Sequence, residues 1–374
     1  MAQSASEPIL AEGELPPLTV ETTPKNKVAK KRPTSEPQAP VTKETSPGAD
    51  PEAPVVFSAN RTPTDYAKVG SSVSVITEKD IDAQSKTFLE DYLQQVPGVS
   101  VTSVGGFGQS TTFRLRGFNQ SYVKVLVDGM DISDPSNSQT APLFEHLLVG
   151  DVAQVEVLKG SQSTLYGGDA LAGVISIDSK YATQPGYFQS GGGEYGTYNT
   201  SRGTYTAGYG ALDGSNVAFT VQGLNTDGFS AATHGTEDDA YRNLTLSGRG
   251  EYRVSEAMTV FFAGRTVETH TEYDTSSGLD NFDSGDMEQQ VGRVGTNISL
   301  FGGQFVNTFA VQAMEIRRDN FGSFPAWYDG ERVKGEYRGV LSFNKRLALV
   351  AGADWERNGA ISSGNPVHRE VDVL

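Results

Sequence analysis

The second half of the sequence is a succession of short alternating segments, and it restricts the fold more than any other feature. From Tyr187 onward nine such segments follow one another, and tight turns alternate with long acidic stretches at 226–239, 271–286 and 318–330. Short turns on one side and long loops on the other are typical of outer-membrane barrels. We therefore predict an antiparallel sheet for residues 187–374, without a helical layer.

Side chains within these segments alternate between an apolar and a polar face. In the ninth predicted strand, Leu347, Leu349 and Trp355 fall on one face, whereas Asp354 and Glu356 fall on the other. A membrane barrel turns its apolar side chains to the lipid and its polar ones to the lumen. A soluble antiparallel sandwich or barrel has the same period with the polar face outward. Alternation alone leaves both open, but strand length and loop asymmetry favour the membrane barrel.

The composition excludes several classes of protein. The chain has 374 residues, no cysteine and a formal net charge of −16 at pH 7. The lack of cysteine excludes a disulfide scaffold and a zinc site built on thiolates. The sequence also lacks an apolar run of about 18 residues, which excludes a transmembrane helix. The negative charge argues against nucleic acid as a partner.

Residues 1–54 form a Pro/Lys-rich extension with few large apolar residues. Such a stretch cannot bury enough surface to offset its chain entropy, so we expect it to be disordered. Its start shows no positively charged and apolar leader, so either the protein is cytoplasmic or its signal peptide has been removed. The strand pattern of the later regions favours removal. Two β-prone patches, at 18–22 and 54–60, are each suited to adding a strand to a partner's sheet edge.

Residues 70–183 predict a compact α+β domain. A strand at 73–76 is followed by a helix that starts after Thr77, and a second helix is predicted at 89–95, ended by the Pro-Gly pair at 97–98. Short strands separated by Gly-rich turns follow as far as residue 177. Several strands with one or two small helices in so short a stretch are typical of the α+β class.

Five motifs in this domain resemble, in the same order, those of the plug of TonB-dependent outer-membrane receptors. They are VSVITEKDI at 73–81, LQQVPGV at 93–99, RLRGF at 114–118, VLVDG at 125–129, and a closing block that runs from VEVLKG at 155–160 through LYG at 165–167 to AGVI at 172–175. Ser161 departs from the family, which usually has proline there. The resemblance implies an α+β plug domain followed by antiparallel transmembrane β-barrel strands.

Plugged barrels have about 22 strands, so the nine predicted strands amount to under half of one. We therefore expect residues 187–374 to be the N-terminal part of an incomplete barrel.

Within the family, the sequence looks most like cobalamin receptors, and this implies an energy-coupling peptide, the TonB box. TonB, energised by an inner-membrane complex, pairs with such a peptide through backbone hydrogen bonds. The distance to the helix start at Asp80 favours the 54–60 patch over the one at 18–22. The favoured box contains Val55, Val56, Phe57, Ser58 and Ala59, and its rival contains Leu18, Thr19, Val20, Glu21 and Thr22.

The resemblance also implies plug loops that line a ligand pocket and an acidic stretch that supplies calcium ligands. Glu237 and Asp239, in the TEDD run at 236–239, match the ligand positions, and clustered carboxylates suit a hard cation. The alternative is a solvated extracellular loop. The candidate ligand-binding loop residues are Gly105, Gly106, Phe107, Gln109, Asn137 and Ser138.

The implied function is TonB-dependent active transport across the outer membrane of a Gram-negative bacterium. Cobalamin or a related corrinoid is the leading ligand, and a ferric siderophore or haem is the alternative. The prediction requires no cofactor, allows calcium, and names TonB and outer-membrane lipid as partners. A passive porin-like or adhesin barrel is a remote alternative, because a diffusion pore would not carry a complete plug.

The sequence does not predict an enzyme. Its four histidines are scattered and show no H-E-x-x-H spacing. The glycine-rich segment at 105–108 leads into another strand rather than a helix, so it is not a nucleotide-binding fingerprint. The Gly-Ser-Gln-Ser run at 160–163 resembles a nucleophile elbow only superficially and belongs to the plug motif.

Overall fold

The computed structural model describes residues 55–59, 61, 64–137, 139–232, 235, 237–274, 282–344 and 347–373, and of residues 365–369 only the backbone. The helices are α1 (Glu78–Gln84), α2 (Leu89–Leu93) and α3 (Ser163–Tyr166). The first ten strands are β1 (Val55–Val56), β2 (Thr64–Asp65), β3 (Ser72–Thr77), β4 (Val99–Ser103), β5 (Thr111–Leu115), β6 (Phe118–Asn119), β7 (Val123–Val127), β8 (Met130–Asp131), β9 (Val152–Lys159) and β10 (Gly173–Ser179). The other ten are β11 (Gly186–Tyr195), β12 (Ser201–Gly210), β13 (Asn216–Thr226), β14 (Tyr241–Ser255), β15 (Met258–Tyr273), β16 (Asp283–Leu300), β17 (Phe305–Phe321), β18 (Ala326–Asn344), β19 (Leu347–Ser362) and β20 (Asn365–Val373).

The plug domain is built on a five-stranded mixed sheet with the order β3-β9-β10-β7-β8, beside a three-stranded sheet β4-β5-β6. Only β10 and β7 run parallel; the other neighbours in the larger sheet are antiparallel. Thr77 caps α1 in a capping box with Asp80, which satisfies backbone N–H groups at the helix start. The second predicted helix is present but ends at Leu93, two residues before the predicted end.

The core of the plug is apolar and closely packed. Phe113 and Phe144 are fully buried, and their rings stack with centroids 4.3 Å apart. The same apolar cluster includes Val267, Met314 and Ile316 from the large sheet. The plug and the sheet therefore share one continuous core.

The large sheet contains β11 to β20 in sequential order, and every neighbouring pair is antiparallel. This confirms the predicted fold class. The sheet has ten strands, one more than the nine predicted. The tenth, β20, was not predicted because it begins with Asn365-Pro366, and proline usually argues against a strand interior. The expected long loop at 318–330 was wrong: β17 and β18 extend into it and leave four residues between Phe321 and Ala326.

The two faces of the large sheet differ as the alternation predicted. In β13, Ala218, Thr220 and Gln222 are buried against the plug side, whereas Phe219 and Val221 are 59% and 43% exposed on the other face. The outer face is thus apolar and the inner face largely polar, the inverse of a soluble protein.

Among the described residues, none of the helices is long and apolar enough to cross a membrane.

Candidate functional site

The first candidate ligand loop lies between β4 and β5 and presses against the loop that connects β13 to β14. Gln109 is 4% exposed, and its Nε2 donates to the carbonyl oxygen of Glu272 over 2.8 Å. A Cβ added at Gly105 would lie 3.2 Å from the Cβ of Ala231, so the two loops touch closely. Phe107 remains 40% exposed. Of these residues, Phe107 is available to a ligand, and the amide of Gln109 is already engaged.

The same loop depends on a contact that the sequence did not reveal. Gly108 has φ +73°, and a Cβ there would collide with the ring of Tyr241. Tyr241 is completely buried, and its hydroxyl lies 3.0 Å from Nδ1 of His146 and accepts a hydrogen bond from Nδ2 of Asn243 over 2.9 Å. Only glycine combines this backbone conformation with such a close approach. Tyr241 at the start of β14 therefore supports the loop from below.

The second candidate loop, at 132–141, is held by one arginine of the sheet. Nη2 of Arg318 donates to Oδ1 of Asn137 over 3.1 Å and to Oγ of Ser136 over 3.3 Å. Arg318 also forms a 2.9 Å ion pair with the fully buried Asp134. Ser138 lies outside the described residues. The side chain of Asn137 is thus fixed in position where the plug meets the large sheet.

Three carboxylates come together near the first loop. Ligand atoms of Glu237, Asp239 and Asp274 all lie within 4.8 Å of one another. Oδ2 of Asp239 accepts from the amide of Ala231 over 2.7 Å, and Oδ2 of Asp274 accepts from the amide of Ala232 over 2.8 Å. These bonds fix the two aspartates, and an all-carboxylate set of donors fits a hard cation such as calcium.

Asp274 was not among the predicted ligands. It directly follows β15, whereas Glu237 and Asp239 precede β14, and these two strands are antiparallel neighbours. The register pairs Tyr241 with Thr271, so the residues before one strand and after the other meet at the same edge of the sheet. An acidic residue just after β15 was therefore the signal that could have found it.

The favoured box segment, residues 55–59, lies docked on the plug. β1 pairs with β2, and Val56, Ser58 and Ala59 are buried. Val56 and Ala59 belong to an apolar cluster with Val73 and Leu158. The rival box at 18–22 lies outside the described residues, so the choice between the two stays a prediction.

Four aspartates of the plug each pair with an arginine of the sheet, and the sequence predicted none of these pairs. Asp151 and Arg265 are almost completely buried and lie 2.8 Å apart. The pairs are Asp128–Arg249, Asp131–Arg332, Asp134–Arg318 and Asp151–Arg265. They connect the plug to β14, β15, β17 and β18, so ion pairs with four strands of the large sheet hold the plug in place.

Buried titratable groups accompany these pairs. Burial alone would raise the pKa of Asp131, but Arg332 and Lys124 hold it well below its usual range. Burial raises the pKa of Glu145 to about 8, and the charge of Glu90 adds to the rise. Burial lowers the pKa of the neighbouring His146 to about 3. Near neutral pH, Asp131 is therefore ionised and His146 is neutral.

Comparison with known proteins identifies the N-terminal domain. Residues 65–174 match the family model of the TonB-dependent receptor plug domain. The chain therefore contains a TonB-dependent receptor plug domain at 65–174 and resembles the receptors of that family. Its matched region includes four of the five sequence motifs completely and the fifth almost to its end. The family comprises receptors and transporters rather than enzymes.

Two kinds of known protein resemble this chain. The vitamin B12 transporter BtuB of Photobacterium profundum is 27% identical over 317 residues, which cover 83% of the chain and 51% of BtuB. The solved structure of the siderophore receptor PiuA from Acinetobacter baumannii matches with a TM-score of 0.65 and 18% identity over 80% of the chain and 47% of PiuA. The ferric-catecholate import receptor Fiu of E. coli, in its open form, matches with a TM-score of 0.64 and 17% identity over 82% of the chain and 52% of Fiu.

The structural matches have low identity and show the fold alone. The chain spans about half the length of the curated relative and of the solved structures that it matches. Homologues in this family are outer-membrane proteins.

Proposed function

We propose that the chain belongs to a receptor that takes up a scarce, large solute through the outer membrane by TonB-dependent active transport. The plug packed against the inner face of an inside-out sheet supports this proposal best. Such a plug obstructs a lumen, so passage requires energy to rearrange it. The outer apolar face, with Phe219 59% exposed, fits contact with outer-membrane lipid.

A corrinoid such as cobalamin is the solute that the proposal favours. The 27% identity to a vitamin B12 transporter supports it, and so does the acidic cluster that would hold calcium beside the plug loop. The solved siderophore receptors share only the fold, so they do not favour an iron chelate. Ferric siderophores and haem remain the alternatives that an experiment distinguishes.

The test of the ligand is equilibrium binding of radiolabelled cyanocobalamin to the full-length protein in outer membranes. Saturable binding at or below micromolar concentration is the expected result. A ferric siderophore and haem should be measured in parallel on the same membranes. Binding of either chelate without binding of cyanocobalamin would replace the corrinoid by that ligand.

The TonB box is tested by deletion. Removing residues 54–60 should leave ligand binding intact and abolish uptake, because TonB would lose the strand with which it pairs. Deletion of residues 18–22 is the matched control, since it removes the rival patch of similar length. If only the second deletion stops uptake, the box lies in the N-terminal extension.

Calcium at the acidic cluster is part of the same proposal. Glu237, Asp239 and Asp274 would supply carboxylate oxygens to the ion and would so fix the loop beside the plug. The Asp274→Asn variant should weaken calcium binding, measured directly by isothermal titration with calcium chloride. Asp82→Asn, a change of the same charge at an exposed position of α1, is the control. Equal calcium affinity in both variants would rule out the cluster as a calcium site.

A further inference from the structure

One buried carboxylate of the plug holds the backbone of the docked box. Oε1 of Glu156 accepts from the amide of Phe57 over 2.9 Å, and Oε2 accepts from the amide of Ser58 over 2.7 Å. Glu156 lies in the middle of β9 and is 1% exposed. Hydrogen bonds from backbone amides to a carboxylate are charge-assisted, and such bonds are about twice as strong as neutral ones.

The neighbours of Glu156 keep its side chain in this position. Nε2 of Gln154 donates to Oε1 of Glu156 over 2.9 Å and to the carbonyl oxygen of Val55 over 3.0 Å. The hydroxyl of Tyr166 donates to the carbonyl oxygen of Ser58 over 2.7 Å. Three plug side chains therefore bind the backbone of residues 55–58, and Glu156 takes both of the amides.

The large sheet contacts the box from the side opposite β9. The guanidinium carbon of Arg338, in β18, lies 5.5 Å from the centre of the Phe57 ring. This is a cation–π distance. The box is thus enclosed between β9 and the wall.

These contacts use the groups that strand addition needs. A partner that adds a box as a β-strand binds its backbone N–H and C=O groups. In the docked segment the amides of Phe57 and Ser58 and the carbonyls of Val55 and Ser58 are already bound to the plug. Docking and pairing with a partner strand therefore compete for the same backbone.

We propose that Glu156 is the latch of the box: it holds residues 55–59 on the plug and so sets how often the segment is available to a strand-pairing partner. This inference rests on the proposed function, in which that segment is the TonB box. Glu156 is a positioning residue, because it acts through the backbone of the box.

Residues 1–374 contain no cysteine, so a single thiol introduced among them can be followed directly. Ser58→Cys places a thiol at a fully buried site of the box, and Oγ of Ser58 has no hydrogen-bond partner among the described residues, so the replacement is conservative. The rate of its reaction with a maleimide, in the full-length protein without TonB, measures release of the box. In the parent the thiol should react far more slowly than one at the exposed Ser103→Cys.

Glu156→Gln should raise the reaction rate of the Ser58→Cys thiol by about tenfold or more, because charged hydrogen bonds to two amides are lost. A second reporter, Ala172→Cys in the plug core, should react as slowly as before. Asp82→Asn, which removes one negative charge from the plug surface, is the matched control and should leave the Ser58→Cys rate unchanged.

Three results would overturn the latch. They are a Ser58→Cys thiol that is unprotected in the parent, a rate that Glu156→Gln leaves unchanged, and an equal rise at Ala172→Cys, which would mean that the whole plug had loosened. Failure of the proposed function is separate from these. It would show as normal uptake after deletion of residues 54–60, in an experiment that does not depend on Glu156.

Discussion

The plug and the large sheet bury their side chains by opposite rules. In the plug, Phe113 and Phe144 are hidden and stacked, as in any soluble domain. In the sheet, Thr220 and Gln222 are buried while Phe219 is exposed. The two regions meet across ion pairs such as Asp151–Arg265 as well as across the shared apolar cluster. The inner face of the sheet is therefore fitted to the plug, whereas the outer face has the apolar side chains that the proposed contact with lipid requires.

The largest expected effect is the loss of a plug core ring. Phe113→Ala removes the stacking partner of Phe144 and leaves a cavity, so the free energy of unfolding of the plug should fall by about 3–5 kcal/mol. Phe219→Ala, on the outer face of β13, should change it by only about 0.5 kcal/mol. Urea unfolding of the full-length protein in detergent micelles checks both variants. The unfolding of the plug is followed by hydrogen exchange of its backbone amides. Equal losses would mean that the two regions do not differ.

Breaking a buried pair between plug and wall should be almost as costly. Asp151→Ala leaves the Arg265 guanidinium buried without its partner carboxylate, and should destabilise the plug by about 3–5 kcal/mol. Combining it with Arg265→Met should recover much of that loss. Lys68→Met, which removes an exposed pair with Asp65, is the control and should cost about 0–1 kcal/mol. Thermal unfolding of the four proteins gives the comparison, and equal costs for the buried and the exposed pair would contradict it.

A charge on the outer face tests whether that face contacts lipid. Val311 lies in the middle of β17 and is 54% exposed. Val311→Arg should cost about 2–4 kcal/mol if the site lies near the middle of the bilayer. Val311→Leu should be close to neutral. Refolding into lipid vesicles measures the difference, and an arginine tolerated as well as leucine would place this face in water.

The most gradual expected effect is the pH dependence that Glu145 adds, because it is spread over several pH units. Its pKa is raised from 4.5 to about 8, so the folded plug binds more protons than the unfolded chain between these values. The free energy of unfolding should therefore fall as the pH rises through this window, by at most about 1.4 kcal/mol per pH unit. Glu145→Gln should remove this contribution. The free energy of unfolding of the parent and of Glu145→Gln should be measured between pH 4.5 and 8. If both change with pH in the same way, Glu145 does not have the raised pKa.

His146 acts in a lower and partly overlapping window, with the opposite sign. Its pKa is lowered from 6.5 to about 3, so the unfolded chain takes up the proton first as the pH falls below 6.5. Its contribution to stability is lost on acidification. Because this contribution is present in the parent and in Glu145→Gln alike, the difference between their curves isolates Glu145.

Much of the fold could be predicted from the sequence. The alternation of Phe219 and Val221 with Thr220 gave both the strand and its faces, because the side-chain period of a strand is two. The helix start at Thr77 followed from its capping residues. The strand β20 was missed because proline at its second position weakens the strand signal.

The candidate site was predicted less completely. Glu237 and Asp239 are neighbours in sequence and could be found, but Asp274 joins them only through the pairing of β14 with β15. Gly108 was visible merely as one of several loop glycines until the buried ring of Tyr241 explained it. These contacts join residues far apart in the chain, and local patterns carry no information on such distances.

The sequence by itself determined the plug motifs, the strand alternation and the candidate segments, because these depend on residue type and short spacing. Only the tertiary structure decided that Glu156 holds the amides of Phe57 and Ser58, and that four aspartates of the plug meet four arginines of the wall. The physical reason is that a charge gains its partner from whichever strand the fold brings within hydrogen-bond distance. That strand is set by sheet register and by the packing of the plug, which the chain reaches only when it folds.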